Sequence, residues 1–321
     1  MSKYLIGVDI GGTKILSAIA TNKGEIFKSL TIKTEAKKGK SASLRNVIRS
    51  IRSLLEETDI PLSQISAIGI GVPGPMDYKK GTVLNPPNLY GWKKVNLKKI
   101  IQKEFRKPVY IDNDANAAAL GEFRFGAGRG TTNMVYITIS TGIGGGIIIN
   151  KKIYRGSIGG AGEIGHTVID MNGMPCNCGN RGCLETLASG RAMTRMAREL
   201  AKKNKSSLIY KLAKGKLNNI NAYIIEEAAL AGDKPALRIV KEIGKRIGIG
   251  VSNIINMLEP DKVVIGGGLS NLGNMIFAPI RKTVTEIALE PSRSRSKVVP
   301  AKFKKEAGVF GAIALCMDGS S

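Results

Sequence analysis

The chain has 321 residues, 43% of them hydrophobic, enough for two domains that each bury a core and too apolar for a disordered protein. Lys and Arg outnumber Asp and Glu by 49 to 25, a net charge of +24, yet the basic residues are spread over 28–52, 93–107, 202–216 and 293–305, no nucleic-acid-binding motif accompanies them, and aromatic residues make up only 5%; a soluble surface or a small anionic ligand such as a nucleotide or polyphosphate fits better than DNA or RNA. No apolar run reaches the roughly 18–20 residues of a membrane span, and "MSKYLIGVDI" enters a strand pattern directly, without the apolar core of a signal peptide, so no membrane partner and a cytoplasmic location with reduced thiols are expected.

Taken in chain order, "YLIGVDIGGTKILSAIA" reads as strand, tight turn, strand. The turn joins Asp9, Gly11, Gly12, Thr13 and Lys14. Its glycines let backbone N–H groups approach an anion, Thr13 and Lys14 add a hydroxyl and a positive charge, and Asp9 is placed to hold a hydrated Mg²⁺. The spacing is neither GxxxxGK[ST] nor GxGxxG, and a plain hairpin turn reads equally well. Ser43 to Glu57 has apolar residues at helical spacing. "AIGIGVPGPMD" is a further strand ended by glycine. "IDNDANAAALGE" ends a strand and opens a helix, with Asp114 at the junction, where a carboxylate serves either as a general base toward a hydroxyl or as a helix N-cap, a role Asn113 also suits.

"MVYITISTGIGGGIII" repeats the form of the first hairpin, with Thr141 and Gly142 in its turn, a hint of duplicated halves. Ala188–Lys203, Ala236–Leu258 and Val309–Met317 read as helices, 202–221 as a basic surface excursion, and "KVVIGGGLS" as a buried strand ending in glycines. Alternating strands and helices give an α/β protein.

Three of the four cysteines and the single histidine fall within "HTVIDMNGMPCNCGNRGCLE". Cys176, Cys178 and Cys183 with His166 make a Cys₃His set, and Gly179 and Gly182 permit the tight loop that would hold it. Four protein ligands leave no open position, so the expected zinc is structural. A short hairpin between His166 and Cys176 is expected to provide the reach. Glu163 and Glu185 bracket the cluster, where carboxylates would accept hydrogen bonds from a polyhydroxylated ligand. Cys316, in "AIALCM", reads as a core residue.

"DIGGTK", "GVPGPMD", "NPPNLYGW", "DNDANAAALGE", "STGIGGGII", "GGAGEIGH", "CNCGNRGCLE" and "VIGGGLS", in this order, resemble the ROK family of sugar kinases and repressors, within the actin, Hsp70 and hexokinase fold group. The resemblance covers essentially the whole chain. It implies two actin-like (ribonuclease H-like) α/β domains flanking a cleft: residues 1–117, with a C-terminal helix in 301–321 folding back onto them, and a larger domain 118–300 carrying the zinc loop. It implies ATP with Mg²⁺, the two glycine turns at its phosphates and Gly267 and Gly268 beside its adenosine. It implies that Asp114 is the catalytic base acting on the 6-hydroxyl of a hexose. Gly74, Asn88, Asn113, Glu163, His166 and Glu185 would contact that sugar. Family members are commonly dimers or tetramers, so a homo-oligomer is expected. Glucose is the leading substrate; N-acetylglucosamine, N-acetylmannosamine and fructose are the alternatives, with polyphosphate as an alternative donor. The family's repressors carry an N-terminal helix-turn-helix domain, for which no room is expected before Asp9; a sugar-responsive regulator without catalysis is the non-enzyme alternative.

Overall fold

The structure, a computed structural model, describes residues 4–319; the ends of the expected segments 1–117 and 301–321, residues 1–3 and 320–321, lie outside the described residues. The described strands are β1 (Tyr4–Ile10), β2 (Lys14–Thr21), β3 (Ile26–Lys33), β4 (Ile65–Val72), β5 (Met76–Asp77), β6 (Thr82–Val83), β7 (Val95–Asn96) and β8 (Val109–Asn113). They continue with β9 (Met134–Ile139), β10 (Ile143–Ile149), β11 (Lys152–Tyr154), β12 (Lys262–Gly266) and β13 (Lys297–Pro300). The chain divides into two compact units: one holds the described residues of Met1–Thr131, Gly146–Gly162 and Lys302–Ser321, the other Thr132–Gly145 and Glu163–Ala301.

The first unit is built on a sheet ordered β3-β2-β1-β4-β8, in which β1 is antiparallel to β2 and parallel to β4. Period-two alternation sorts its side chains. Ile6, Val8 and Ile10 pack with Val47, Ile51 and Leu54 of the helix Lys40–Thr58. Leu5, Leu16, Ala18 and Ala67 face Val309, Ile313 and Cys316 of the helix Ala307–Asp318. That second face is small by necessity. A Cβ at Gly69 would lie 1.7 Å from the Ala312 carbonyl oxygen, and one at Gly7 would lie 2.7 Å from Ile313 Cγ1. Cys316 is buried there as a core residue, and burial raises its thiol pKa well above the ordinary range. A small sheet ordered β5-β6-β7 adds Trp92 to the core, its Nε1 donating to Ser43 Oγ at 2.8 Å.

In the second unit β12 is parallel to both β9 and β13. The helices Lys234–Leu258 and Asn274–Ile287 pack so closely that a Cβ at Gly244 would lie 2.5 Å from Pro279 Cγ. The second large sheet runs β11-β10-β9-β12-β13. Strand for strand this repeats the first: the hairpin β9–β10 stands where β1–β2 stands, and β12 and β13 where β4 and β8 stand. The hint of duplicated halves is therefore a fact of topology.

Three local expectations are corrected. The helix expected over Ala188–Lys203 is two helices, Leu184–Ala188 and Gly190–Lys203, parted at Ser189, which caps the second. The break places Gly190 N–H on the Ser140 carbonyl at 2.8 Å. The segment 202–221 is not merely a surface excursion: it contains the helix Leu208–Leu212 and anchors itself through buried Ile209, Ala213 and Ile220. Finally, the helix Asp114–Phe125 belongs with the first unit, together with 146–162, rather than opening the second at residue 118. The cause is close glycine packing: a Cβ at Gly311 would lie 2.0 Å from Ala117 O, and one at Gly146 would lie 2.6 Å from Ala119 Cβ.

Candidate active site and metal centre

Within the first unit, the turn between β1 and β2 is closed by Gly11 N–H donating to Lys14 O at 2.9 Å, and Thr34 Oγ1 donates to Gly11 O at 2.6 Å. Thr13 and Lys14 are exposed. Gly12 lies against Asn88, where a Cβ would come within 2.9 Å of Asn88 Cβ and O, so the first glycine turn and the "NPPN" loop are brought together. Asp9, at the end of β1, stands beside the first turn of the helix Ala307–Asp318: a Cβ at Gly308 would lie 2.3 Å from its Cγ. Burial, then the negative charge of Asp114, push the Asp9 carboxyl up to about 7, against the opposing pull of Lys14. Asp9 and Asp114 therefore share one electrostatic neighbourhood, and a divalent cation there would favour the ionised form of Asp9.

β8 delivers Asn113 and Asp114 to the start of the helix Asp114–Phe125. The capping role falls to Asn113, whose Oδ1 accepts from Ala115 N at 2.9 Å. Its Nδ2 faces Gly74, where a Cβ would lie 2.9 Å away. Asp114 Oδ1 also accepts from Ala115 N, at 2.8 Å, and the residue is exposed. An exposed carboxylate on a rigid strand-to-helix junction is suited to take a proton from a bound hydroxyl. Two neighbours with no role in the sequence reading hold this junction: buried Asp112 and, paired with it at 2.7 Å, Arg155.

Within the second unit, the metal-ligand set is assembled. One ligand atom from each of His166, Cys176, Cys178 and Cys183 lies within 4.8 Å of the others. Cys176 Sγ is 3.7 Å from His166 Nδ1, and Cys178 Sγ is 3.7 Å from Cys183 Sγ. Tetrahedral zinc with sulfur about 2.3 Å away requires sulfurs about 3.8 Å apart, so the donors fit the ion. Nδ1 is the nitrogen turned to the sulfurs, so a metal ion bound there would leave Nε2 to carry the N–H. Burial pushes the Cys183 thiol up to about 12. Burial opposes the Cys176 thiolate too, but hydrogen bonds from the Cys178 backbone, Thr186, Cys178 and His166 outweigh it and lower that thiol to about 6. The knot is not the expected His166–Cys176 hairpin. It is closed by the bridges Val168–Cys183 and Pro175–Arg181, with Gly182 at φ +66°, where a Cβ would lie 1.6 Å from Asp170 O.

The metal loop is tied to the second glycine turn. Glu185 Oε2 accepts from Ile143 N at 2.9 Å, and a Cβ at Gly142 would lie 2.3 Å from the same oxygen. Arg191, which the sequence does not single out, donates to Glu185 Oε1 at 2.9 Å and to Thr141 O at 3.2 Å. Glu163 is exposed at the start of the 3-10 turn Ile164–His166, and a Cβ at Gly165 would lie 2.2 Å from Ile143 O. The Glu185 carboxylate and the backbone of Gly165, two residues after Glu163, thus both lie against Ile143. Gly267, at φ +84°, lies against Ile139, where a Cβ would meet Ile139 O at 2.4 Å, while the space around Gly268 is open apart from Ser140 Oγ at 4.0 Å. The turn 139–142 and Gly267–Gly268 are therefore neighbours.

Comparison with known proteins matches this arrangement to one family. The pattern that defines the ROK family covers residues 5–318. A glucokinase of Thermotoga maritima is 38% identical over 311 residues, 97% of this chain and 96% of that protein. A putative xylose repressor of a Caldicellulosiruptor species is 36% identical over 317 residues, 97% of this chain and 77% of that protein. Among solved structures, a ROK glucokinase of Streptomyces griseus in complex with glucose and AMPPNP has a TM-score of 0.85 at 35% identity, covering 98% of this chain and all of that one. The two matching halves are the two actin-like α/β domains of that kinase fold.

Proposed function

The protein belongs to the ROK family, and on that premise we propose that it transfers the γ-phosphoryl group of ATP to the 6-hydroxyl of a hexose, with glucose as the leading acceptor. The observation that carries this reading is Asp114: Asn113 caps the helix, and the neighbouring carboxylate stands exposed at its mouth. The similarity to glucokinases over nearly the whole chain supports a sugar kinase. In the proposed step Asp114 takes the proton of the 6-hydroxyl as that oxygen forms its bond to the γ-phosphorus, and the bond from the γ-phosphorus to the bridging oxygen of ADP breaks.

Within the first unit, Asp114 is the base, Asn88, Asn113 and Gly74 are the residues for the sugar, and the N–H groups of the first glycine turn are the donors for phosphate. Within the second unit, Glu163, the Nε2–H of His166 and Glu185 are the residues for ring hydroxyls, the second glycine turn offers further phosphate donors, and Gly267 and Gly268 border the adenosine. Mg²⁺ at Asp9, when bound, supplies charge neutralisation for the phosphates. Zinc at His166, Cys176, Cys178 and Cys183 supplies a crosslink that fixes the loop between Glu163 and Glu185. A cytoplasmic, homo-oligomeric enzyme without a nucleic-acid partner completes the proposal; no helix among the described residues is long and apolar enough to cross a membrane.

The similarity to a xylose repressor favours one second reading, a protein that binds sugar without phosphorylating it. ADP release with ATP and Mg²⁺, measured across glucose, mannose, fructose, N-acetylglucosamine and N-acetylmannosamine, separates the two. Hexose-dependent ADP release supports the kinase and ranks its substrates. Sugar binding by calorimetry with no ADP release from any of the five replaces it with the regulator.

A further inference from the structure

Asp112 is 1% exposed, and both of its carboxylate oxygens are engaged. Oδ1 accepts from the backbone N–H of Asn113 at 2.7 Å and from Asn116 Nδ2 at 3.0 Å. Oδ2 accepts from Arg155 Nε at 2.7 Å. One carboxylate thus ties the end of β8 to the first turn of the following helix, and Asp114 is one of the two residues between its attachment points, Asn113 and Asn116. A buried carboxylate of this kind is stable as an anion only with a paired cation.

That cation arrives 43 residues later in the sequence, directly after β11. Arg155 is itself held. Its guanidinium carbon lies 5.1 Å from the centre of the Tyr78 ring, and its carbonyl accepts from Ala161 N at 3.2 Å. Gly159, at φ +91°, closes the same loop against Tyr78, where a Cβ would lie 3.0 Å from Cδ1. Arg155 therefore has one fixed orientation toward Asp112, set by an aromatic face and a glycine-rich loop.

We propose that the Arg155–Asp112 pair is the positioning device of the catalytic base: it fixes the junction that presents Asp114 to the acceptor hydroxyl, without touching substrate. The inference rests on the reading of Asp114 as base. Loss of Arg155 leaves the Asp112 carboxylate buried and unpaired. It then turns toward water, and the Asn113 N–H and the Asn116 amide lose their acceptor. A displacement of Asp114 by a fraction of an ångström follows, and misplacement on the scale of 1 Å costs about 100-fold in rate.

The test measures kcat, KM for glucose and for ATP, and Tm for the wild type, Arg155→Met, Arg155→Lys, Asp112→Asn and the Arg155→Met/Asp112→Asn pair. Arg155→Met is expected to lower kcat about 10- to 100-fold while KM for ATP stays near the wild-type value. Arg155→Lys, which keeps the charge but loses the Nε geometry, falls between. The double variant recovers part of the kcat lost in Arg155→Met, because a neutral amide at position 112 needs no cation and still offers an oxygen to Asn113 and Asn116. A merely structural pair would lower Tm with kcat per folded molecule unchanged. That result, or a double variant whose losses multiply, overturns the inference. If Arg155→Met does not fold, Arg155→Lys decides: a reduced kcat supports the device and a wild-type kcat overturns it. A wild type that releases no ADP with any hexose overturns the proposed function and this inference with it; an active wild type beside a fully active Arg155→Met overturns this inference alone.

Discussion

At the scale of single residues, the site depends on carboxylates whose behaviour their surroundings decide. Asp9 is the clearest case, its carboxyl raised from 3.8 to about 7 by burial and by Asp114. Between these two values the folded protein holds a proton that the unfolded chain has lost, so stability falls as pH rises through that window and the penalty is complete above about pH 7. Asp9→Asn is therefore expected to raise Tm at pH 8 in EDTA, to change it little at pH 4, and to flatten the decline between them. Thermal melts across that range check it, and a variant whose Tm follows the wild type at every pH contradicts it. Asp9, Asp114, Glu163 and Glu185 were all singled out in the sequence as expected site residues, because each sits inside or beside a short motif, "DIGGTK", "DNDANAAALGE", "GGAGEIGH" and "CNCGNRGCLE". Asp112, Arg155 and Arg191 were not. Each forms an ion pair with a residue the fold brings to it, Asp112 with Arg155 and Arg191 with Glu185, and nothing in the local sequence marks a salt bridge made by the fold.

At the scale of elements, the metal loop and the glycine-packed helices carry the most weight. The loop was legible as a compositional anomaly, three cysteines and the sole histidine in one stretch. Its closure was not, because the bridges Val168–Cys183 and Pro175–Arg181 depend on which backbones can approach. Protein purified without added metal is expected to carry about one zinc per chain, by the closed-site rule. Cys183→Ser is expected to lose it and to raise KM for the hexose about 10- to 100-fold, with a smaller change for ATP. Elemental analysis and steady-state kinetics check this, and a zinc-free variant with unchanged hexose KM would detach the metal from the sugar site. The helix Ala307–Asp318 was also legible, from its apolar run. What pins it was hidden. Buried Glu122 accepts from Ala127 N, Lys302 N and Phe303 N at 2.7–3.1 Å, and Gly311 touches the backbone of the helix Asp114–Phe125. Gly311→Ala forces a methyl to within 2.0 Å of Ala117 O, where only backbone can yield. A loss of about 2–3 kcal/mol by urea unfolding is expected, and a loss under about 0.5 kcal/mol would show that the two helices separate freely.

At the scale of the whole molecule, the duplicated sheet order explains why two glycine turns occur in one chain. Each half places the same hairpin at the same point of its sheet. In the first half Asn88, in the loop between β6 and β7, lies against Gly12, and in the second Gly267, directly after β12, lies against Ile139. Strand order was only hinted at in the sequence, since the repeat of "DIGGTKIL" in "STGIGGGII" gives the hairpins but not their neighbours. The division of the chain was the least legible feature, because residues 146–162 join the first unit through contacts of Gly146 with Ala115 and Ala119 that no composition shift announces. We propose that these features together make a phosphotransferase whose base is Asp114. This is tested most directly by hexose-dependent ADP release from wild type and Asp114→Ala, with glucose binding to both followed by calorimetry. Turnover in the wild type, a fall of about 10²- to 10⁴-fold in kcat for the variant, and glucose binding in both are expected. Turnover in Asp114→Ala at the wild-type rate would contradict it.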